Sequence, residues 1–181
     1  MNVIRTELAG VLLLEPRSFA DERGLVYESY NRKAFREATG VDPIFIQDNH
    51  SHSRRNVIRG LHYQVKRPQA KLVRVVRGEI FDVAVDIRRS SPTFGKWAGF
   101  RLSEENRRMA WIPEGFAHGL LALSDGADVL YKMTEHWIPE LDRTIAWDDA
   151  QIGIRWPLAG EPVLSGKDKA GKALSEAEVF E

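Results

Sequence analysis

The sequence predicts a mainly β chain folded as an antiparallel sandwich or barrel, with a few short helices. Short apolar runs recur along its length, turn residues separate most of them, and only two stretches carry helix signals. A barrel of this kind can enclose one small ligand.

Taken in order, the first run is Val11–Leu14, ended by Glu15 and Pro16. Leu25–Tyr30 follows. Asn31 can then cap a helix over Arg32–Thr39, with Gly40 as its stop. After Phe45–Asn49 comes the valine-rich run Leu72–Val76. Arg77-Gly78-Glu79 joins it to Ile80–Ile87, so the two runs are expected to form a hairpin with glycine at the turn. Phe81, Val83, Val85 and Ile87 share one face of the second run, and Asp82, Ala84 and Asp86 the other, as in a half-buried strand. Trp97–Leu102, Arg108–Ile112, Gly119–Ala122 and Val129–Thr134 complete the strand candidates. Ser175 is expected to open a short terminal helix.

Composition narrows the function. With 181 residues, 43% of them apolar, and no Ser/Gly or Pro linker, residues 1–181 are expected to form a single domain. Lys plus Arg number 26, as do Asp plus Glu, so no net field favours nucleic acid or an anionic membrane. The absence of cysteine excludes disulfides, thiolate zinc sites and cysteine catalysis, and suits a reducing compartment. Val11–Leu14 is too short for a signal core or a membrane span, and a cytoplasmic protein is expected.

Chemistry concentrates in Arg59-Gly60-Leu61-His62-Tyr63-Gln64, in Pro113-Glu114-Gly115-Phe116-Ala117-His118, and at Tyr131. Imidazoles, a phenol and arginines stand there without a carboxylate-rich metal cage, an inventory that suits proton transfer at carbon. His62 and His118 lie where strands could aim them into a pocket; the competing reading is a core histidine bonded to backbone. His50 and His52 alternate as a metal pair would, but the polar residues around them favour a solvated loop. His136 has no neighbour that raises it above an ordinary surface residue. Arg59 and His62 are an odd number apart, so an unbroken strand would aim them at opposite faces; a bulge at Gly60 is expected to bring them together.

The pattern Pro113, Gly115, His118 resembles the second motif of the cupin barrels (jelly rolls). The first is half present, with His62 and then Gln64 where metal-binding cupins offer two histidines, so no metal is expected. More specifically, the chain resembles the dTDP-4-dehydrorhamnose 3,5-epimerase family through Asp21–Gly24, Phe45–His50, Val57–Gln64, Gln69–Asp86, Ser91–Gly95, Trp111–Gly119, Leu130–Thr134 and Trp147–Asp149 leading to Trp156-Pro157. The resemblance implies a cupin-type antiparallel β-barrel and a cofactor-free epimerase. Its substrate would be a dTDP-4-keto sugar, whose ketone acidifies the hydrogens at C3 and C5. His62 is implied as the base, Asp168 as its carboxylate partner, Lys71 as the cation near the C4 oxyanion, and Tyr131 as the acid on the opposite face. Arg23 and Arg59 are implied to hold the diphosphate, which guanidinium groups can bind through two oxygens. Glu28, Gln47, Asn49, His118, Asp142 and Lys167 are implied as further ligand contacts. A homodimer that shares strands is implied as well.

Two positions depart from the family. His136-Trp137 stands where two tyrosines are common, and Asp142 replaces the more usual glutamate. Three other readings remain open at this level: a single-centre C3 or C5 epimerase, a noncatalytic nucleotide-sugar-binding cupin, and a metal-dependent cupin oxygenase.

Overall fold

The computed structural model describes all 181 residues, and β-strands dominate it. Strands β1 (Asn2–Arg5) and β2 (Leu12–Glu15) lead into a small ribbon, β3 (Ser18–Asp21) and β4 (Gly24–Tyr27), and then helix α1 (Arg32–Thr39). The remaining strands are β5 (Gln47–Ser53), β6 (Ile58–Gln64), β7 (Lys71–Arg77), β8 (Glu79–Asp86), β9 (Trp97–Ser103), β10 (Met109–Ile112), β11 (Phe116–Ala122), β12 (Ala127–Met133) and β13 (Asp142–Thr144). Helix α2 (Gly166–Lys169) lies in the C-terminal segment. The expected runs all fall within or overlap these strands. Strands β1, β3 and β13 were not anticipated, because each is only three or four residues long with weak alternation.

The strands form two main sheets. One has the order β1-β2-β10-β7-β12-β5, the other β13-β6-β11-β8-β9, and every pairing in them is antiparallel. Leu13, Val73, Val75 and Val129 from the first sheet meet Ile80, Ala84, Leu102 and Leu120 from the second in a shared core. Helix α1 puts Phe35 against Leu12, Leu14, Leu72 and Trp111 on the outside of the six-stranded sheet. Its ends match expectation: Asn31 accepts from Ala34 N, a cap worth about 1 kcal/mol, and Gly40 ends it in the left-handed conformation at φ +77°.

Three expectations are corrected. β7 and β8 do not form a hairpin, since each already has two neighbours in its own sheet and Gly78 carries the chain from one sheet to the other. Gly78 is at φ +76°, and a Cβ there would stand 2.3 Å from Gly126 O and from Ser124 Oγ. β8 is not half-buried: Asp82 and Asp86 are both 0% exposed. Its apolar face packs outward under the C-terminal segment, with Val83, Val85 and Ile87 against Ile145, Ile152 and Leu174, while Ile80 and Ala84 face the inter-sheet core. Asp86 is satisfied there by Arg88 and by the hydroxyls of Ser91 and Thr93. Finally, Ser175 lies inside a single 3-10 turn, Leu174–Glu176, instead of opening a helix.

The expected irregularity at Gly60 is present. Arg59 pairs with Leu120 and His62 with His118, so three steps along β6 match two along β11. Gly60 is at φ +122°, and an added Cβ would meet Gly119 Cα and His118 O at 2.6 Å. Gly119 returns the constraint, its own Cβ position being 2.9 Å from Leu61 Cδ2 and 3.0 Å from Arg59 O. Two backbones pass too closely for any side chain between them. Gly60→Ala is therefore expected to lower the free energy of unfolding in urea by about 3 kcal/mol, the scale of a non-glycine residue forced into a glycine-only conformation.

Candidate active site

Beyond the inter-sheet core the inward-facing apolar side chains give way to polar ones that line a cavity. Lys71 follows from the strand period: it shares its face with Val73 and Val75 but lies one step beyond the apolar rows, opposite Met133. Tyr131 stands between Val129 and Met133 on the same inner face of β12. From the other sheet, the bulge at Gly60 lets Arg59 and His62 face one cavity. That cavity, of about 120 Å³, is also lined by Ser51, Lys71, His118 and Tyr131. It adjoins a wider mouth of about 270 Å³, where His62, Lys71 and Tyr131 meet Asn49, Trp137, Asp142 and Lys167.

Asp168 approaches from behind. Val163 is laid along β6 through Ile58 N to Val163 O at 3.1 Å and Val163 N to Asn56 O at 2.8 Å. Ser165 then caps α2 by accepting from Asp168 N. The buried Asp168 carboxylate accepts from His62 Nε2 at 2.6 Å, Ser165 Oγ at 2.6 Å and Gly60 N at 3.2 Å. Burial pushes this carboxyl up, but the bonds from His62, Ser165 and Gly60 outweigh it and hold it at about 2. His62 moves the other way. Burial lowers its pKa, the Asp168 bond only partly offsets that, and the nearby ammonium groups of Lys167 and Lys71 lower it further. The result at neutral pH is an uncharged imidazole, oriented through Nε2, with its other nitrogen free to accept a proton. Burial also lowers Lys71, to about 8, while Asp142 and Asp82 work to keep it charged.

The other residues singled out from sequence divide into three groups. Arg59 lies at the cavity edge, where its guanidinium donates to Ser53 Oγ and His52 O. Gln47 stands just outside, donating to Asn49 Oδ1 and accepting from the backbone of Trp137. Arg23 and Glu28 are elsewhere in the chain's own fold. Arg23 pairs with Asp21 on the exposed β3–β4 ribbon, and Glu28 accepts from Asn31.

Trp137, 53% exposed, stands at the mouth, and its indole N–H donates to Asp142 Oδ2, which also pairs with Lys167. Gln64 donates to the carbonyls of Arg67 and His136 and accepts from Ile138 N, so it braces the loop that carries Trp137. His50 and His52 are strand residues, not loop residues; both point outward and share Asp128 Oδ1. No group of three or more His, Cys, Asp or Glu side chains is arranged to hold a metal ion.

Sequence reasoning missed Asp82, 2.7 Å from His118 Nε2, and Ser165, which caps α2 and bonds Asp168. It also missed Ser51, whose buried Oγ has no protein partner. The signal for Asp82 was present as a carboxylate between the inward-facing Ile80 and Ala84.

Two antiparallel sheets closed around a polar cavity, with His118 of the Pro113-Gly115-His118 motif in its wall, define a cupin-type barrel. Residues 5–176 match the dTDP-4-dehydrorhamnose 3,5-epimerase family, and the chain belongs to it. The epimerase of that name from Pseudomonas aeruginosa is 55% identical over 180 residues, covering 99% of each chain. The Salmonella typhimurium one is 53% identical over 178 residues, covering 98% of this chain and 97% of the other. A crystal structure of a Legionella pneumophila dTDP-6-deoxy-D-glucose-3,5-epimerase with dTDP-4-keto-L-rhamnose superposes with a TM-score of 0.95. That chain is 48% identical, and the match covers 98% of this chain and 94% of it.

The electrostatics set a pH window. His62 can take up a proton only while uncharged, and its pKa is lowered, so an acidic limb of kcat/KM is expected below the ordinary imidazole value of about 6.5. Lys71 can offer its charge to an anion only while protonated, so a decline is expected as pH rises through about 8. A pH–rate profile of kcat/KM is expected to be bell-shaped between these limits.

Proposed function

We propose that this enzyme inverts C3 and C5 of dTDP-4-dehydro-6-deoxy-D-glucose to give dTDP-4-dehydro-L-rhamnose, with residues 1–181 serving as one catalytic domain. The reading is carried by one observation: an uncharged, carboxylate-oriented His62 faces the same small cavity as Tyr131 and the buried cation Lys71. His62 takes a proton from the carbon next to the ketone. The bond electrons move to the C4 oxygen, where Lys71 meets the enolate charge; one such donor is worth roughly 3 kcal/mol. Tyr131 returns a proton from the opposite face, and the imidazolium left on His62 is balanced by Asp168, as in hydrolase triads. Once His62 has released its proton to solvent and Tyr131 has regained one from it, repetition at the second carbon completes the reaction.

Around this centre Arg59 would hold the diphosphate, and His118, Asn49, Asp142 and Lys167 the sugar and its surroundings, with Gln47 and Trp137 toward the nucleotide. Arg23 and Glu28 fit if the protein is a homodimer in which the β3–β4 ribbon of one copy reaches the site of the other. The ribbon suits that role, since Phe19, Leu25 and Val26 leave 55%, 51% and 68% of their surface exposed. Its substrate class and cysteine-free chain fit a cytoplasmic location, and no helix is long and apolar enough to cross a membrane.

In deuterated water, NMR should show loss of both the C3 and C5 proton signals of the substrate, and His62→Ala should abolish the exchange while circular dichroism stays native. Loss of only one signal would identify a single-centre epimerase instead. For the dimer, inactive Arg23→Ala and His62→Ala proteins mixed under subunit exchange should recover about a quarter of wild-type activity, because each mixed dimer regains one intact site. No recovery would place Arg23 outside the partner's site.

A further inference from the structure

Asp82 takes no part in the proton transfers at C3 and C5, yet it lies beside them with no exposed surface. Along β8 its immediate inward neighbours Ile80 and Ala84 belong to the inter-sheet core, and unlike Asp86 further along the row it has no arginine or hydroxyl beside it. A carboxylate in such a place is tolerated only when charge and hydrogen bonds meet it. Oδ1 is met by His118 Nε2 at 2.7 Å. Oδ2 is sealed from solvent and has no hydrogen-bond partner. Lys71 is buried nearby, 8% exposed, and feels Asp82 through space.

We propose that Asp82 is a positioning residue of the epimerase reaction: it fixes the His118 ring through one oxygen and sets its negative charge against Lys71, so that the ammonium stands ready when charge appears on the C4 oxygen. This rests on the epimerase reading above.

The chemistry of the two histidines separates their roles. His118 and His62 are direct partners across β11 and β6, and each is bonded to its own aspartate. His62 also feels Lys167 and Lys71, which oppose its charging. The bond to Asp82 Oδ1 fixes the His118 ring, which lines the cavity shared by His62, Lys71 and Tyr131.

For Lys71, burial works against the ammonium, Asp142 and then Asp82 support it, and Lys167 opposes it. The remaining groups facing it are His62 and Arg59 on β6, His118 on β11 and Tyr131 on β12. None of these adds a carboxylate. Removing Asp82 leaves Asp142 as the one anion that holds the lysine charged.

Asp82→Asn keeps the shape and removes the charge. It should reduce kcat by about ten- to a hundredfold, leave KM within about threefold of wild type, and move the basic limb of the pH profile to lower pH. Asp82→Glu should return that limb toward its wild-type position even if kcat stays reduced. A merely structural Asp82 would lower the urea midpoint in both variants and leave the limb in place, which would overturn the proposal.

Two measurements on ligand-free protein stand apart from the epimerase assay. With ¹³C-labelled lysine, assigned by the signal lost in Lys71→Met, the titration midpoint of Lys71 should fall by about one unit in Asp82→Asn; an unmoved midpoint would refute the role of Asp82 whether or not the sugar is turned over. In Asp82→Glu, which keeps the charge, the same midpoint should stay near its wild-type value; a midpoint that falls in this variant as well would overturn the proposal even if Asp82→Asn failed to fold.

Discussion

The five-stranded sheet is apolar on both faces and must be covered twice. One face packs on the six-stranded sheet through Ile80, Ala84 and Leu120. The other, with Val83, Val85 and Ile87, would be left in water if the chain ended after β13, and Ile145, Ile152, Trp156 and Leu174 are laid over it instead. Covering large apolar side chains is worth about 25 cal/mol per Å² of surface removed from water, the dominant favourable contribution to folding. The segment that supplies this cover also carries Ser165 and Asp168 to the back of His62. Packing thereby delivers the carboxylate that orients the His62 ring.

The close approach of Gly60 and Gly119 turns that packing into a site. Were β6 regularly paired through Gly60, Arg59 and His62 would diverge, and one of them would be lost to the outer face. The bulge also aims Gly60 N at Asp168, so the backbone that re-aims the histidine helps to hold its partner. A local departure from ideal pairing is stabilised by the regular pairing of β11 with β8 on its other side. Bulges near active sites commonly serve to redirect a side chain in this way.

Charge within the cavity is distributed unevenly. Asp168 is held ionised by donors from three directions, while His62 is kept neutral by burial and by the ammonium groups facing it. The same elements, an imidazole and a carboxylate, recur in His118 and Asp82 among different neighbours. The two pairs differ in their surroundings: His62 faces Lys167 and Lys71, whereas His118 lies against a carboxylate whose second oxygen has no partner.

Much of the fold was legible from the residues. Alternation and β-branched runs marked most of the strands, Asn31 and Gly40 marked both ends of α1, and the odd spacing of Arg59 and His62 around a glycine announced the bulge. Local chemistry dictates these features within a few residues. The sequence also named most of the residues that share the cavity, through their match to a family, although it missed Ser51 and by itself left Asp168 looking like tail charge. Tertiary structure alone decided that Gly78 turns between sheets instead of within one, that the aspartates of β8 are buried, and that Asp82 stands behind His118. It also decided that Arg23 and Glu28 lie away from the cavity of their own chain. The reason is physical: a period of two tells which side chains share a face, but not what covers that face, and covering is settled by segments far away in the chain.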